Sequence, residues 1–432
     1  MTTSKSPPAA PGARAHLWAA ATALAFLGGV LIFGSRYAAD YERQYISALT
    51  PYFGQGKDLT EDRVLASLEH LKNQGMVLQE RALERPDLMP LYGSSELLKP
   101  IPDKSSIFFE AYPTGFAVFP VGKAGATSLI LLQKIAALGG SVRGRQLAIS
   151  LSPSWFLVPD VAEHQYEGNF SHAQALATLA NPRLSFAVRH ALAERMLEHP
   201  ETLEHDAILD FLSKHEARGE WSDRALCWAA MPIVKMEEAI HIGQDHFETW
   251  GFLQLYRDRM RNPPPRQPAR LDWERLIAEA SSQPLPSSER ATHFSRGRTQ
   301  LDYETVFRQM FSTAEEWKDL DLLVHGLAEL GVKPLILCMP PNGMFYENGG
   351  ASRETVLAFS ERVREVAGRY GANVETFEDH DEDKDFLVDH HDHMSAKGWM
   401  YYNRALDEFY HTPKAQMVAH ARHGRHKHVV TD

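Results

Sequence analysis

The sequence predicts an α/β fold built on a parallel sheet. Three observations carry that expectation. From about residue 88 onward, short apolar runs alternate with amphipathic runs of helical period. The short runs are apolar throughout and not at every second position, which is the pattern of strands covered on both faces. Most of them stop at a glycine or proline that leads into a polar loop.

The elements follow in order. Residues 1–16 are rich in Pro, Ala and Ser and read as a disordered cytoplasmic tail. Residues 17–35, LWAAATALAFLGGVLIFGS, carry no charge and are just long enough to cross a hydrocarbon core of roughly 30 Å. The run exceeds the roughly 7–15 apolar residues of a signal peptide, and YAAD at 37–40 is a poor cleavage site. It therefore reads as an uncleaved single-pass anchor in the cytoplasmic membrane. Lys5 and Arg14 precede it and Arg36 follows, which favours a cytoplasmic N-terminus and an extracytoplasmic remainder. Residues 36–87 read as a helical linker, with Val64, Leu65, Leu68 and Leu71 at helical spacing.

The main domain spans residues 88–411. LMPLYG (88–93), TGFAVFPVG (114–122), RQLAISLSP (145–153), VKPLILCMP (332–340) and ANVETF (372–377) read as strands. TSLILLQKIAALGG (127–140), SRETVLAFSERVREVAGRYG (352–371) and AKGWMYYNRALDEFYH (396–411) read as helices. The stretch from about 160 to 330 breaks the alternation. It is helical in pattern, contains the breaker run NPPPRQPAR (262–270), and reads as an insertion that caps the site, docks a partner or simply packs. Residues 412–432 read as a disordered His-rich tail.

Composition narrows the function classes. The net charge of −11 argues against a nucleic-acid binder, which needs a basic face. The two cysteines, Cys227 and Cys338, both lie in apolar surroundings, and their spacing gives no support to a disulfide.

Four segments could carry chemistry. In LYGSSEL (91–97) a strand runs into Gly93, Ser94, Ser95 and Glu96. A serine just past a strand end has an exposed hydroxyl and a free N–H, so Ser95 is a candidate nucleophile; the plain alternative is a helix N-cap. In VDHHDHMSAKGW (388–399), an Asp a few residues before His393 makes a compact base-and-orienter unit. The rival there is a metal site, since three His and two Asp lie within 389–393, but neighbours on one short loop point in different directions. VGKAGATSL (121–129) is a glycine-bearing turn that could present the Gly125 N–H to an anion, and it lacks the P-loop pattern. SLSPSWF (150–156) places Ser154 and Trp155 beyond a buried strand, where open α/β sheets bind ligands.

YGSSEL and HMSAKGW resemble the first and last blocks of the SGNH (GDSL-like) hydrolase superfamily. With FPVGKAGATSLI, SLSPSWF, NFS (169–171) and MPPNG (339–343) between them, the chain more narrowly resembles the DltD family, the D-alanyl transfer proteins of the dlt system. The resemblance implies a flavodoxin-like three-layer sandwich with a helical insertion and one N-terminal transmembrane helix. It implies Ser95 as nucleophile, His393 as base, and Gly125 as an oxyanion donor beside the Ser95 N–H. The superfamily's block-three Asn falls near Ser154, a departure. The orienting Asp usually stands three residues before the His, where this chain has His390; Asp389 is the expected orienter and Asp392 the runner-up, a Ser–His dyad being the remaining case. No cofactor and no metal are implied. The implied partners are a membrane-bound O-acyltransferase, a D-alanyl carrier protein and an envelope polymer acceptor, lipoteichoic acid in Gram-positive relatives. An envelope esterase or thioesterase, or a non-catalytic docking protein, are the alternative functions.

Overall fold

The computed structural model describes residues 12–48, 73–99, 101, 103–254, 269–283, 285, 302–389 and 393–412. Five strands form one sheet: β1 (Leu88–Gly93), β2 (Ala117–Gly122), β3 (Ala148–Leu151), β4 (Leu335–Cys338) and β5 (Asn373–Glu375). All four pairings are parallel, and the order is β2-β1-β3-β4-β5. That order is the flavodoxin-like one, and it reverses direction between β1 and β3, so the two loops leaving those strands diverge and open a crevice.

Helices α1 (Ala13–Ala48) and α2 (Met76–Glu84) precede β1, α3 (Ser105–Ala111) lies between β1 and β2, and α4 (Ser128–Ala136) between β2 and β3. Between β3 and β4 the described residues form helices and no strand: α5 (Glu163–Asn169), α6 (His172–Leu179), α7 (Phe186–Leu197), α8 (Ala207–Arg218), α9 (Trp221–Gln254), α10 (Trp273–Ser281), α11 (Tyr303–Thr313) and α12 (Glu316–Glu329). Helices α13 (Gly343–Asn348) and α14 (Arg353–Gly368) join β4 to β5, and α15 (Ala396–His411) closes the domain.

The uninterrupted apolar strands are explained by two cores, one on each face of the sheet. Tyr92, Phe119, Ile149, Leu151, Ile336 and Cys338 point into one cluster with Leu129 of α4, Val188 of α7, Leu323 of α12 and Phe359 of α14. Their neighbours Met89, Leu91, Val118, Ala148, Leu335 and Leu337 point into the other, with Phe108 and Phe109 of α3, Leu276 of α10 and Trp399 and Tyr402 of α15. The strand period of two thus feeds two apolar layers, giving a three-layer sandwich. Cys227 on α9 and Cys338 on β4 are buried and form no disulfide with each other.

Helix α1 is the one described helix long and apolar enough to cross a membrane. Leu24, Phe26, Ile32 and Phe33 on it are exposed, whereas Ala38, Ala39, Glu42, Tyr45 and Ile46 near its end are buried. Glu42 Oε1 there meets His246 Nδ1 of α9 at 2.7 Å, which ties the helix to the globular body. The expected helical spacing at Val64–Leu71, most of the proline-rich run at 262–268 and the tail from residue 413 lie outside the described residues.

Candidate active site

The site is assembled from chain segments that leave the carboxyl ends of β1, β2 and β3 and from the loop before α15. After β1 the chain turns sharply. Glu96 folds back so that its Oε1 accepts the Ser94 N–H at 2.9 Å. A Cβ at position 93 would fall on that same oxygen, so a side chain there would displace the Glu96 carboxyl from the turn. This turn raises Ser95 above the sheet at the start of a short 3-10 helix, Ser95–Leu98. Among the described residues the Ser95 N–H has no hydrogen-bond partner.

His393 reaches this point from the other end of the sequence. An antiparallel bridge pairs Leu387 with Met394, supported by Val388 N–H to His393 O at 2.8 Å and Ser395 N–H to Phe386 O at 3.0 Å. The bridge brings Val388 and His393 side by side. That pairing explains how an Asp four positions upstream meets the histidine. The helix behind the loop is firmly seated. Ser395 Oγ caps α15 by accepting the Gly398 N–H at 3.2 Å. Trp399 is buried, and a Cβ at 398 would stand 2.5 Å from Phe386 O. Ser395, Gly398 and Trp399 of HMSAKGW therefore each have a capping or packing task.

The resulting array is continuous. Ser95 Oγ lies 2.9 Å from His393 Nε2. His393 Nδ1 lies 2.9 and 2.7 Å from the two oxygens of Asp389, which also accepts the His393 N–H at 3.3 Å. Lys99 Nζ donates to Asp389 Oδ2 at 3.3 Å. Burial alone would raise the Asp389 carboxyl; the hydrogen bond and charge of His393, with Lys99 behind, outweigh it and hold Asp389 well below the usual carboxylate range. An ionised Asp389 favours the His393 proton on Nδ1 and leaves Nε2 as an acceptor facing the Ser95 hydroxyl. Asp392, His390 and His391 lie outside the described residues.

A cavity of about 320 Å³ opens beside the serine. Ser95, Gly125, Ser154 and His393 all line it, as do Trp155, Val158, Val161, Met339, Glu96 and Glu316. The structure thus brings the site residues expected from sequence to one place. The details differ between them. The Gly125 N–H donates to Ser94 Oγ at 3.0 Å, and that hydroxyl faces Lys123 O at 3.3 Å. Ser154 Oγ lies 2.6 Å from Ser152 Oγ, which also accepts the Ser154 N–H at 3.3 Å. The NFS segment acts from behind: Asn169 Nδ2 donates to Ala124 O at 3.0 Å and so holds the Gly125 turn. Two larger clefts lie elsewhere, one of about 610 Å³ on the helical insertion and one of about 660 Å³ between the insertion and α14, and neither sets a hydroxyl or thiol beside a histidine.

Three neighbours of the array carry no sequence signal of their own. Glu96 is buried; burial pushes its carboxyl up, opposed by the N–H groups of Ser94 and of Glu96 itself. Lys99 stands behind Asp389. Glu316, at the start of α12, is buried in the cavity wall and accepts the Ser128 N–H at 3.0 Å, at the N-terminus of α4. Burial first, and then the charge of Asp319, push the Glu316 carboxyl from its ordinary 4.5 up to about 8. The folded protein therefore holds this proton where the unfolded chain has lost it. Stability linked to Glu316 is fully present below about pH 4.5 and is lost as pH rises toward about 8. In denaturant titrations at pH 5 and pH 8.5, Glu316→Gln should lose less stability over that interval than the wild type.

These features define an α/β protein with a hydrogen-bonded Ser–His–Asp array at the carboxyl edge of its sheet. The family described as DltD protein matches residues 66–411, and the chain belongs to that family. It is 26% identical over 375 residues to Protein DltD of Bacillus subtilis (strain 168), covering 82% of this chain and 91% of that one. It is 21% identical to Protein DltD of Staphylococcus aureus (strain NCTC 8325 / PS 47), over 81% of this chain and 87% of the other. Against Protein DltD of Lacticaseibacillus rhamnosus the identity is 24%, over 86% and 88% of the two chains.

Proposed function

We propose that this protein transfers D-alanine to a cell-envelope polymer through a D-alanyl-Ser95 ester. Membership of the DltD family supports involvement in the dlt system and envelope D-alanylation. The observation that carries the mechanism is the 2.9 Å approach of Ser95 Oγ to His393 Nε2, with Asp389 on the other ring nitrogen.

The chemistry follows from that arrangement. Ser95 Oγ attacks the carbonyl carbon of an activated D-alanyl group while His393 Nε2 takes the serine proton. The Ser95 N–H stabilises the developing oxyanion, with Gly125 and Ser154 as further donors on the same cavity. An oxyanion that engages the Gly125 N–H displaces the Ser94 hydroxyl now bonded to it. Collapse of the intermediate expels the donor's thiol or alcohol, protonated by His393, and leaves the ester. A polymer hydroxyl then attacks the ester, its proton passes to His393, and Ser95 Oγ leaves with that proton. Ser95, Gly125, Ser154 and His393 thus take the roles of an SGNH-type site.

The wider assignment extends the same reading. The chain is anchored by residues 17–35 with residues 1–16 in the cytoplasm, and the site faces the exterior beside a membrane-bound O-acyltransferase fed by a D-alanyl carrier protein. Residues 88–411 form the acyl-transfer domain, joined to the anchor by 36–87 and followed by the tail from 412. An esterase or thioesterase would share every atom of this site up to the acceptor step. Cells fed labelled D-alanine separate the two. Transfer predicts label on an alkali-labile envelope polymer, lost when this protein is deleted. Label appearing only as free D-alanine contradicts transfer.

A further inference from the structure

The cavity beside Ser95 has a marked charge character. Its wall contains two glutamates, Glu96 and Glu316, and no lysine or arginine among the described residues. Burial pushes both carboxyls up, so neither ionises readily by itself, and a cation entering the cavity favours ionisation. The two carboxylates are not equivalent. Glu96 is engaged within its own turn, by the Ser94 N–H and its own. Glu316 is only 4% exposed and accepts one backbone donor, the Ser128 N–H.

The nearby cation, Arg195, acts on Glu316 only through space, opposing the effect of burial. Arg195 directs its guanidinium to both oxygens of Asp319, at 2.8 and 2.9 Å, and to Asp160 at 2.8 Å. Among the described residues no Lys, Arg or His forms an ion pair with Glu316. A carboxyl in this position is costly to ionise alone and cheap to ionise beside a cation that enters the cavity. Trp155, Val158, Val161 and Met339 form an apolar part of the wall that suits a small alkyl group, beside the polar Thr127, Ser152, Ser154 and Gln165.

We propose that Glu316 receives the α-ammonium of the acyl group and so makes the site selective for aminoacyl over neutral acyl donors. This inference rests on the acyl-Ser95 reading. Glu316 binds substrate in it and takes no part in bond making.

The test uses the full-length protein in detergent with two probes, the D-alanyl and D-lactyl thioesters of N-acetylcysteamine, which differ by an ammonium against a hydroxyl. Thiol release gives kcat/KM for each. A hydrogen bond to a charged group predicts a wild-type preference for D-alanyl of about 10- to 100-fold. Glu316→Gln keeps an acceptor for the Ser128 N–H and should remove most of that preference. The loss should appear as a raised KM for D-alanyl, with D-lactyl turnover within about twofold of wild type. Equal use of the two esters by the wild type overturns the inference, whether or not the variant folds. A preference that survives in Glu316→Gln overturns it too, while leaving the acyl-serine reading intact. Thiol release from neither ester overturns the acyl-serine reading itself, and the inference with it.

Discussion

Ser95→Ala is expected to abolish complementation of a deletion strain's envelope D-alanylation, with the protein present at wild-type levels in the membrane. The effect is large because no other group described in the cavity can replace it. Ser94 Oγ is held between the Gly125 N–H and Lys123 O, and Ser154 Oγ is engaged with Ser152. It is Ser95 Oγ that meets His393 Nε2. In a covalent mechanism, loss of the nucleophile lowers the acylation step by on the order of 10⁵–10⁶-fold. Removing this hydroxyl costs little stability, since Ser95 lies on a turn fixed by Gly93 and Glu96. Full complementation of the deletion by Ser95→Ala would leave a docking role as the only reading of this protein.

Asp389→Asn is expected to lower the acylation rate by on the order of 10³–10⁴-fold with the fold intact. Both Asp389 oxygens now face His393 Nδ1, and the Lys99 ammonium stands on Oδ2. An amide in that place presents an N–H₂ to either the ring or the ammonium. It cannot favour Nδ1–H as a carboxylate does, and the imidazole then carries its proton on the nitrogen that faces Ser95. His393 keeps its place because the Leu387–Met394 bridge and the cap on α15 do not involve the carboxylate, and an Asn oxygen can still accept the His393 N–H. Rates measured with the D-alanyl thioester, beside unchanged near-ultraviolet circular dichroism, check this. A double variant with His393→Ala should be little worse than His393→Ala alone, because the two side chains act as one unit. An Asp389→Asn enzyme within about tenfold of wild type would remove Asp389 from the array.

Much of the fold was legible because its signals are local. β1 and α15 occupy the residues their apolar runs mark, 88–93 and 396–411. Each is bounded by a turn residue or cap that the sequence displays. Strands are shorter than their apolar runs: 114–122 becomes Ala117–Gly122, and 372–377 becomes Asn373–Glu375, since an apolar residue packs as well in the flanking loop as in the ladder. Ser95, Gly125 and Ser154 could be nominated because parallel strands deliver their following loops to one edge, and His393 because it stands just before the closing helix.

The rest of the site depends on contacts distant in sequence or too fine for a pattern. Asp389 reaches His393 through the bridge between Leu387 and Met394, which no spacing rule announces. Glu316 sits in the helical insertion, far along the sequence from Ser95, and reads as an ordinary helix-start acid. That Gly125 points its N–H at Ser94 is set by a turn that Asn169 clamps from another helix.

The covalent step is measured most directly by the intact mass of the purified full-length protein after brief exposure to the D-alanyl thioester, followed by peptide mapping of any adduct. A D-alanyl-Ser95 ester predicts a gain of one D-alanyl residue, mapped to Ser95, released by hydroxylamine and absent from Ser95→Ala. An unmodified wild-type protein that still transfers D-alanine, or an adduct on any residue other than Ser95, would contradict it.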